Sequence, residues 1–153
     1  LGSGSQSEMG LTDFGKAVVR RMEEVGMIVD CSHLNDAGFE NLLNCSAKPF
    51  VASHSNLRAL CSHSRNLRDD QFKEIVARGG LCGINVHSKF LSEPDDLGAG
   101  QKEQLLRLID RMLELGGEDV IAWGMDLDGG VTCDPSIGTP YGGAAYGEYL
   151  VEH

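Results

Sequence analysis

Residues 27–56, MIVDCSHLNDAGFENLLNCSAKPFVASHSN, hold two short apolar runs that each stop at a Ser-His pair. The first run, residues 27–31, is β-branched at its centre and ends in Ser32-His33; the second, residues 50–52, follows Pro49 and ends in Ser53-His54. Both read as strands. Between them Asn35 is placed to cap a helix from Asp36 to Cys45. Two strands joined by a helix can lie parallel, and a right-handed crossover puts both strand ends on the same rim. His33 and His54 are therefore expected side by side. Neutral imidazoles so placed are candidate metal ligands.

The rest of the chain repeats this alternation. From the cap residue Thr12, apolar positions Phe14, Val18, Val19, Met22 and Val25 recur at helical steps until Gly26. After His54 comes a polar stretch with Asn56, Arg58, His63, Arg65 and Asn66, the kind of loop that carries function. Asp69-Asp70 opens a helix built on Phe72, Ile75 and Val76, and Gly79-Gly80 ends it. Residues 81–86, LCGINV, read as a buried strand, 87–100 as a loop, and 101–115 as a helix on Leu105, Leu108, Ile109, Met112 and Leu115. A fourth strand, 120–125, stops at Asp126-Leu127-Asp128.

Strict alternation predicts an α/β fold with a parallel sheet. Each strand end carries polar residues: His33, His54, Asn85 with His87, and Asp126 with Asp128. That distribution belongs to the rim of a (β/α) barrel. A dinucleotide-binding sheet would need a G-x-G-x-x-G turn, which is absent. An eight-stranded barrel takes about 250 residues, whereas 153 residues hold four expected strands. The expectation is the C-terminal half, about four βα units, of a (β/α)8 TIM-type barrel, with the first half missing. The Gly/Ser-rich residues 1–10 read as a loop or frayed start, 11–130 as the partial barrel, and 131–153 as a Gly-rich closing segment.

Thirteen basic against 23 acidic residues give a net charge of −10, which disfavours nucleic acid and anionic membrane surfaces as partners. No apolar run approaches a membrane span and the first residues lack a signal-peptide pattern, so a cytoplasmic protein is expected. Five cysteines, widely spaced and without a Cys-x-x-Cys pair, fit reduced thiols, and Cys31 reads as a small core residue.

The segments GLTDFGKAVVRRMEEVGMIVDCSH, KPFVASHSNLRALCSHSRNLRDDQF and GMDLDGG resemble the zinc-dependent membrane (renal-type) dipeptidases, peptidase family M19, and their bacterial relatives. The spacing agrees too: His33 and His54 lie 21 positions apart, and Arg65 lies 11 beyond His54. The resemblance implies a (β/α)8 barrel holding two zinc ions, with His33 and His54 on one of them. It implies that Asp126 is the acid/base aspartate and that Arg65 grips the C-terminal carboxylate of a dipeptide substrate. Alternate strand residues share a face, so spacing alone does not choose between Asp126 and Asp128; the resemblance favours Asp126.

Two departures qualify this expectation. The family's other zinc is held by a His-x-Asp pair, and a glutamate bridges the two ions; no His-x-Asp occurs here, and Glu8, in the Gly/Ser-rich start, is no substitute for the bridge. After the third expected strand, family members carry an aromatic-rich segment where this chain has Val86-His87-Ser88-Lys89-Phe90. Hydrolysis is thus expected only with the missing N-terminal half of the barrel. The competing reading is a non-catalytic half barrel that forms a homo-oligomer through its open edges and binds at most one weak metal. A third, a barrel hydrolase acting on a cyclic amide or ester, is disfavoured by Arg65, which argues for a free carboxylate on the substrate.

Overall fold

The computed structural model describes residues 8–91, 93 and 101–126. The expectations for 1–7 and 131–153, for most of the 92–100 loop, and for Asp128 and Cys133 fall outside these residues.

Helix α1, Asp13–Glu24, starts where its cap is: the Thr12 hydroxyl accepts from the Gly15 N–H at 3.1 Å, and Gly26 leaves at φ 79°. Helix α2, Asp36–Cys45, is capped the same way by Asn35, whose Oδ1 accepts from the Gly38 N–H at 2.8 Å. Strand β1, Val51–Ala52, follows. Helix α3, Asp69–Ala77, leads into strand β2, Leu81–Ile84, and helix α5, Gln101–Glu114, leads into strand β3, Ile121–Trp123. The short helix α4, Ser88–Leu91, occupies part of what reads from sequence as a loop.

The strands form one parallel sheet in the order β1-β2-β3, with Ala52 beside Cys82 and Cys82 beside Ile121. The run 27–31 does not become a full strand. It joins β1 only at a parallel bridge, Asp30 to Val51, through Cys31 N to Val51 O at 2.7 Å and Val51 N to Val29 O at 3.0 Å. Among the described residues nothing pairs with its outer edge, and Met27 and Ile28 are exposed.

The sheet has two unlike faces. Val29, Cys31, Phe50, Ala52, Cys82 and Ile84 belong to a core that also takes Phe39 and Leu42 from α2, Phe72 and Ile75 from α3, and Leu105, Leu108 and Met112 from α5. Each fully buried side chain of this size stabilises the fold by about 1.5–3 kcal/mol. The alternate residues Ile28, Asp30 and Leu81 point the other way and are exposed, so helices cover one face only.

Helix α1 departs from its expected packing. Phe14, Val18 and Val25 are exposed, whereas Val19 and Glu23 turn inward. Glu23 is buried because its carboxylate accepts from the Ser46 hydroxyl at 2.5 Å and from the Ala47 and Lys48 N–H groups at 3.2 and 3.1 Å, tying α1 to the turn before β1. Hydrophobic spacing cannot reveal a carboxylate recruited to satisfy a loop backbone. Among the described residues, no helix is long and apolar enough to cross a membrane.

Asp36, in the first turn of α2, gathers the loop that follows His54. Arg58 donates to it through both terminal nitrogens at 2.8 and 2.9 Å, Gln71 through Nε2 at 3.0 Å, and Arg68 lies at 3.3 Å. The Arg58 hydrogen bonds lead in lowering its pKa to about 2, against the opposing effect of burial. Because the folded value lies below the ordinary 3.8, this stabilisation is complete above about pH 4 and is lost as pH falls toward 2. The side chain is 43% exposed, which discounts the effect to about 1 kcal/mol. Urea denaturation of Asp36→Asn should show that loss at neutral pH and a shallower acid limb between about pH 4 and pH 2.

Candidate metal and substrate site

The ends of the strands converge because three backbones come unusually close there. A Cβ on Gly83 would sit 2.0 Å from the Ser53 carbonyl oxygen, and one on Gly124 would sit 1.7 Å from it. Only glycine permits this crowding at both positions. On the rim so formed, His33 follows the 27–31 run, His54 follows β1, Asn85 follows β2 and Asp126 follows β3. His33 and Asp126 both adopt left-handed backbone angles, φ 72° and 58°. Non-glycine residues rarely do so, and such positions concentrate at functional sites.

The two histidines meet as their spacing predicts. Their Nε2 atoms are 2.9 Å apart, with the ring planes at 61°. The neighbouring network determines which nitrogen carries the proton. Asp30 accepts from the Ser53 hydroxyl at 2.5 Å, and Ser53 Oγ lies 2.7 Å from His54 Nδ1. With its own hydrogen given to Asp30, the Ser53 oxygen accepts from His54 Nδ1–H. That leaves the His54 Nε2 lone pair facing His33.

Asp30 is itself held by the Ser32 and Ser53 N–H groups at 2.9 and 3.0 Å. Burial raises its pKa, but these hydrogen bonds outweigh it and keep the carboxylate ionised. Ser32 Oγ accepts from the His54 N–H at 3.1 Å, joining the two Ser-His pairs directly. For His33, burial, then the charges of Arg65 and His54, lower the pKa against the pull of Asp126 and Asp30. A depressed imidazole is neutral at pH 7, as a metal ligand must be.

This geometry fits a metal. Two Zn–N bonds of about 2.0–2.1 Å at a tetrahedral angle separate their nitrogens by about 3.3 Å, so the rings need part by only about 0.4 Å. Among the described residues, however, no group of three or more His, Cys, Asp or Glu side chains is arranged to hold an ion. His33 and His54 offer two nitrogens to a coordination sphere, no more.

Arg65 lies in the loop after β1, only 9% exposed, with its Nη2 3.5 Å from the His54 carbonyl. Among the described residues no carboxylate lies within ion-pair distance of it. Burial lowers its pKa while the charges of Asp126 and Asp30 raise it. Asp126 accepts from Asn85 Nδ2 at 3.3 Å, and Asn85 is in turn fixed by its backbone N–H donating to Asn56 Oδ1 at 2.9 Å. The structure thus groups all four residues singled out in the sequence. Cys31, by contrast, is buried and its thiol is pushed up by burial, in keeping with a core role.

Sequence reading missed the supporting residues Asp30, Ser32 and Ser53. Their signal was the repeated Ser-His pair, with an aspartate three positions before the first histidine. His63 and His87, read as loop residues, flank the Phe90 ring at 4.7 and 4.8 Å.

The family model for membrane dipeptidase (peptidase family M19) matches residues 2–136. An uncharacterised Klebsiella pneumoniae protein from the pqqA 5′ region is 33% identical over 135 residues, covering 84% of this chain and 48% of the relative. A metallo peptidase from Rhodobacter sphaeroides, solved with a phosphinate mimic of the dipeptide L-Ala-D-Ala, superposes with a TM-score of 0.78 at 33% identity, covering 96% of this chain and 42% of that one. The structure of dipeptidase AC, a metallo peptidase of family M19, gives 0.75 at 35% identity, covering 80% and 37%. The chain spans about half the length of the first relative and less of the solved structures.

Removing the hydroxyl that orients His54 should weaken zinc binding about tenfold or more, as loss of a ligand's outer hydrogen bond does. Competition titration of Ser53→Ala against the parent chain measures this; equal affinities would rule out the orienting role. In the parent, proton competition at His33 should set in at a lower pH than for an ordinary imidazole, because His33 is depressed.

Proposed function

The chain belongs to the membrane dipeptidase family, peptidase family M19, and from that premise we propose that it is the C-terminal half of a zinc dipeptidase barrel. The supporting observation is the convergence of the His33 and His54 Nε2 atoms at 2.9 Å beside a buried arginine with no carboxylate partner among the described residues. The one-sided covering of the parallel sheet favours the half barrel, since the exposed Ile28, Asp30 and Leu81 face the side on which further strands would close.

In this reading His33 and His54 hold one zinc ion. When bound, zinc lowers the pKa of a coordinated water and polarises the scissile carbonyl. Arg65 binds the C-terminal carboxylate of the dipeptide, a task suited to a planar bidentate donor. Its burial without a carboxylate partner among the described residues leaves that capacity open. Asp126, hydrogen-bonded by Asn85 on the same rim, takes the proton of the nucleophilic water and delivers it to the leaving amine. The remaining metal ligands come from the other half of the barrel. The dipeptide mimic bound to the Rhodobacter sphaeroides peptidase is consistent with this substrate class.

A second reading rests on the absence of a third ligand among the described residues. In it the chain is a non-catalytic half barrel that self-associates through its open edges and holds at most one weak metal. Zinc content per chain, measured with hydrolysis of L-alanyl-L-alanine, separates the two. The dipeptidase reading expects zinc that is lost in the His33→Ala, His54→Ala double variant, and turnover that appears once an N-terminal half from a relative is supplied. Zinc retained in the double variant would remove the metal from these histidines. No turnover in the complemented protein would leave the second reading.

A further inference from the structure

We propose that Phe90 is a positioning residue for Arg65; the inference rests on the reading of Arg65 as the substrate carboxylate's partner and adds what aims it. The Arg65 guanidinium carbon stands 5.6 Å from the centre of the Phe90 ring, within cation–π range. A buried arginine that lacks a carboxylate partner among the described residues still needs its planar head held in one orientation, and the face of an aromatic ring supplies that without consuming the N–H donors. Phe90 leaves those donors for a ligand.

The ring is fixed from behind. Asn66 Nδ2 donates to the Phe90 carbonyl at 2.8 Å and Asn56 Nδ2 at 3.1 Å, and both asparagines are buried within the loop that carries Arg65. Asn66 Nδ2 also donates to the Cys61 carbonyl at 2.9 Å, and Cys61 Sγ lies 3.3 Å from the Lys89 carbonyl. The Arg65 loop and helix α4, which bears Phe90, are therefore tied together by hydrogen bonds. His87 stacks on the same ring at 28°, while His63 packs against it at 58° and accepts from the Arg65 N–H through Nδ1 at 3.1 Å.

The test is the arginine Nε–Hε spectrum of the full chain, with the Arg65 signal assigned by its loss in Arg65→Ala. It is run beside titrations with L-alanyl-L-alanine and with the C-terminal amide of that dipeptide. In Phe90→Leu the Arg65 signal should lose its ring-current shift. Dipeptide affinity should fall about three- to thirtyfold, the range of a cation–π contact, while affinity for the amide stays the same. Phe90→Tyr should restore both. An unmoved Arg65 signal in Phe90→Leu overturns the proposal. So does a moved signal with unchanged dipeptide affinity in a chain whose affinity Arg65→Ala lowers. Should Arg65→Ala leave dipeptide affinity untouched, the carboxylate reading fails, and the Arg65 signal alone then decides the positioning.

Discussion

The ionised carboxylate of Asp30 holds the rim together. It takes hydrogen bonds from the Ser32 and Ser53 N–H groups and from the Ser53 hydroxyl, so one side chain links the end of the 27–31 run to the end of β1. The run is otherwise attached to the sheet by a single bridge, and a carboxylate that gathers several donors contributes more than the ladder can there. Through Ser53 the same group sets the tautomer of His54. Register and the His54 tautomer thus depend on one carboxylate. That coupling explains how a weakly paired edge still presents His33 within reach of His54.

A second polar network does for the loops what Asp30 does for the histidines. Asn56, Asn66 and Asn85 are almost fully buried, and their amides satisfy carbonyls and N–H groups of neighbouring turns. Burying an amide is costly unless its hydrogen bonds are made; the Asn66 amide nitrogen makes two, while its Oδ1 has no partner among the described residues, and these contacts together restrict how the chain runs around them. The result is a rigid floor beneath Arg65 and Asp126. Asp36 adds a charged anchor from the other side, through Arg58 and Arg68.

Much of this was legible in residue order where local chemistry governs. Thr12 and Asn35 are cap residues in sequence and in structure, because a cap is decided by the residues beside it. The pairing of His33 with His54 followed from the handedness of a strand-helix-strand unit. What stayed hidden depends on contacts between distant segments. The exposure of Phe14, Val18 and Val25 reflects what surrounds α1, which its periodicity cannot state. The 27–31 run has strand composition yet lacks a described neighbour on its outer side. Asp30, one more polar residue at the end of an apolar run, acquired its role only once Ser53 folded against it. Asp126 and Asp128 could not be separated by spacing, and the structure describes only the first.

The left-handed backbone at His33 and Asp126 sets a limit on improvement. A non-glycine residue held in that region costs on the order of 1–2 kcal/mol, and the two occurrences among the described residues fall on the same rim, one after the 27–31 run and one after β3. Directed evolution for heat resistance would therefore be drawn to glycine at these two positions. Each such gain would delete an imidazole or a carboxylate from the rim. Screening this chain for thermal stability and screening it for rim chemistry would select opposite residues at the same two sites.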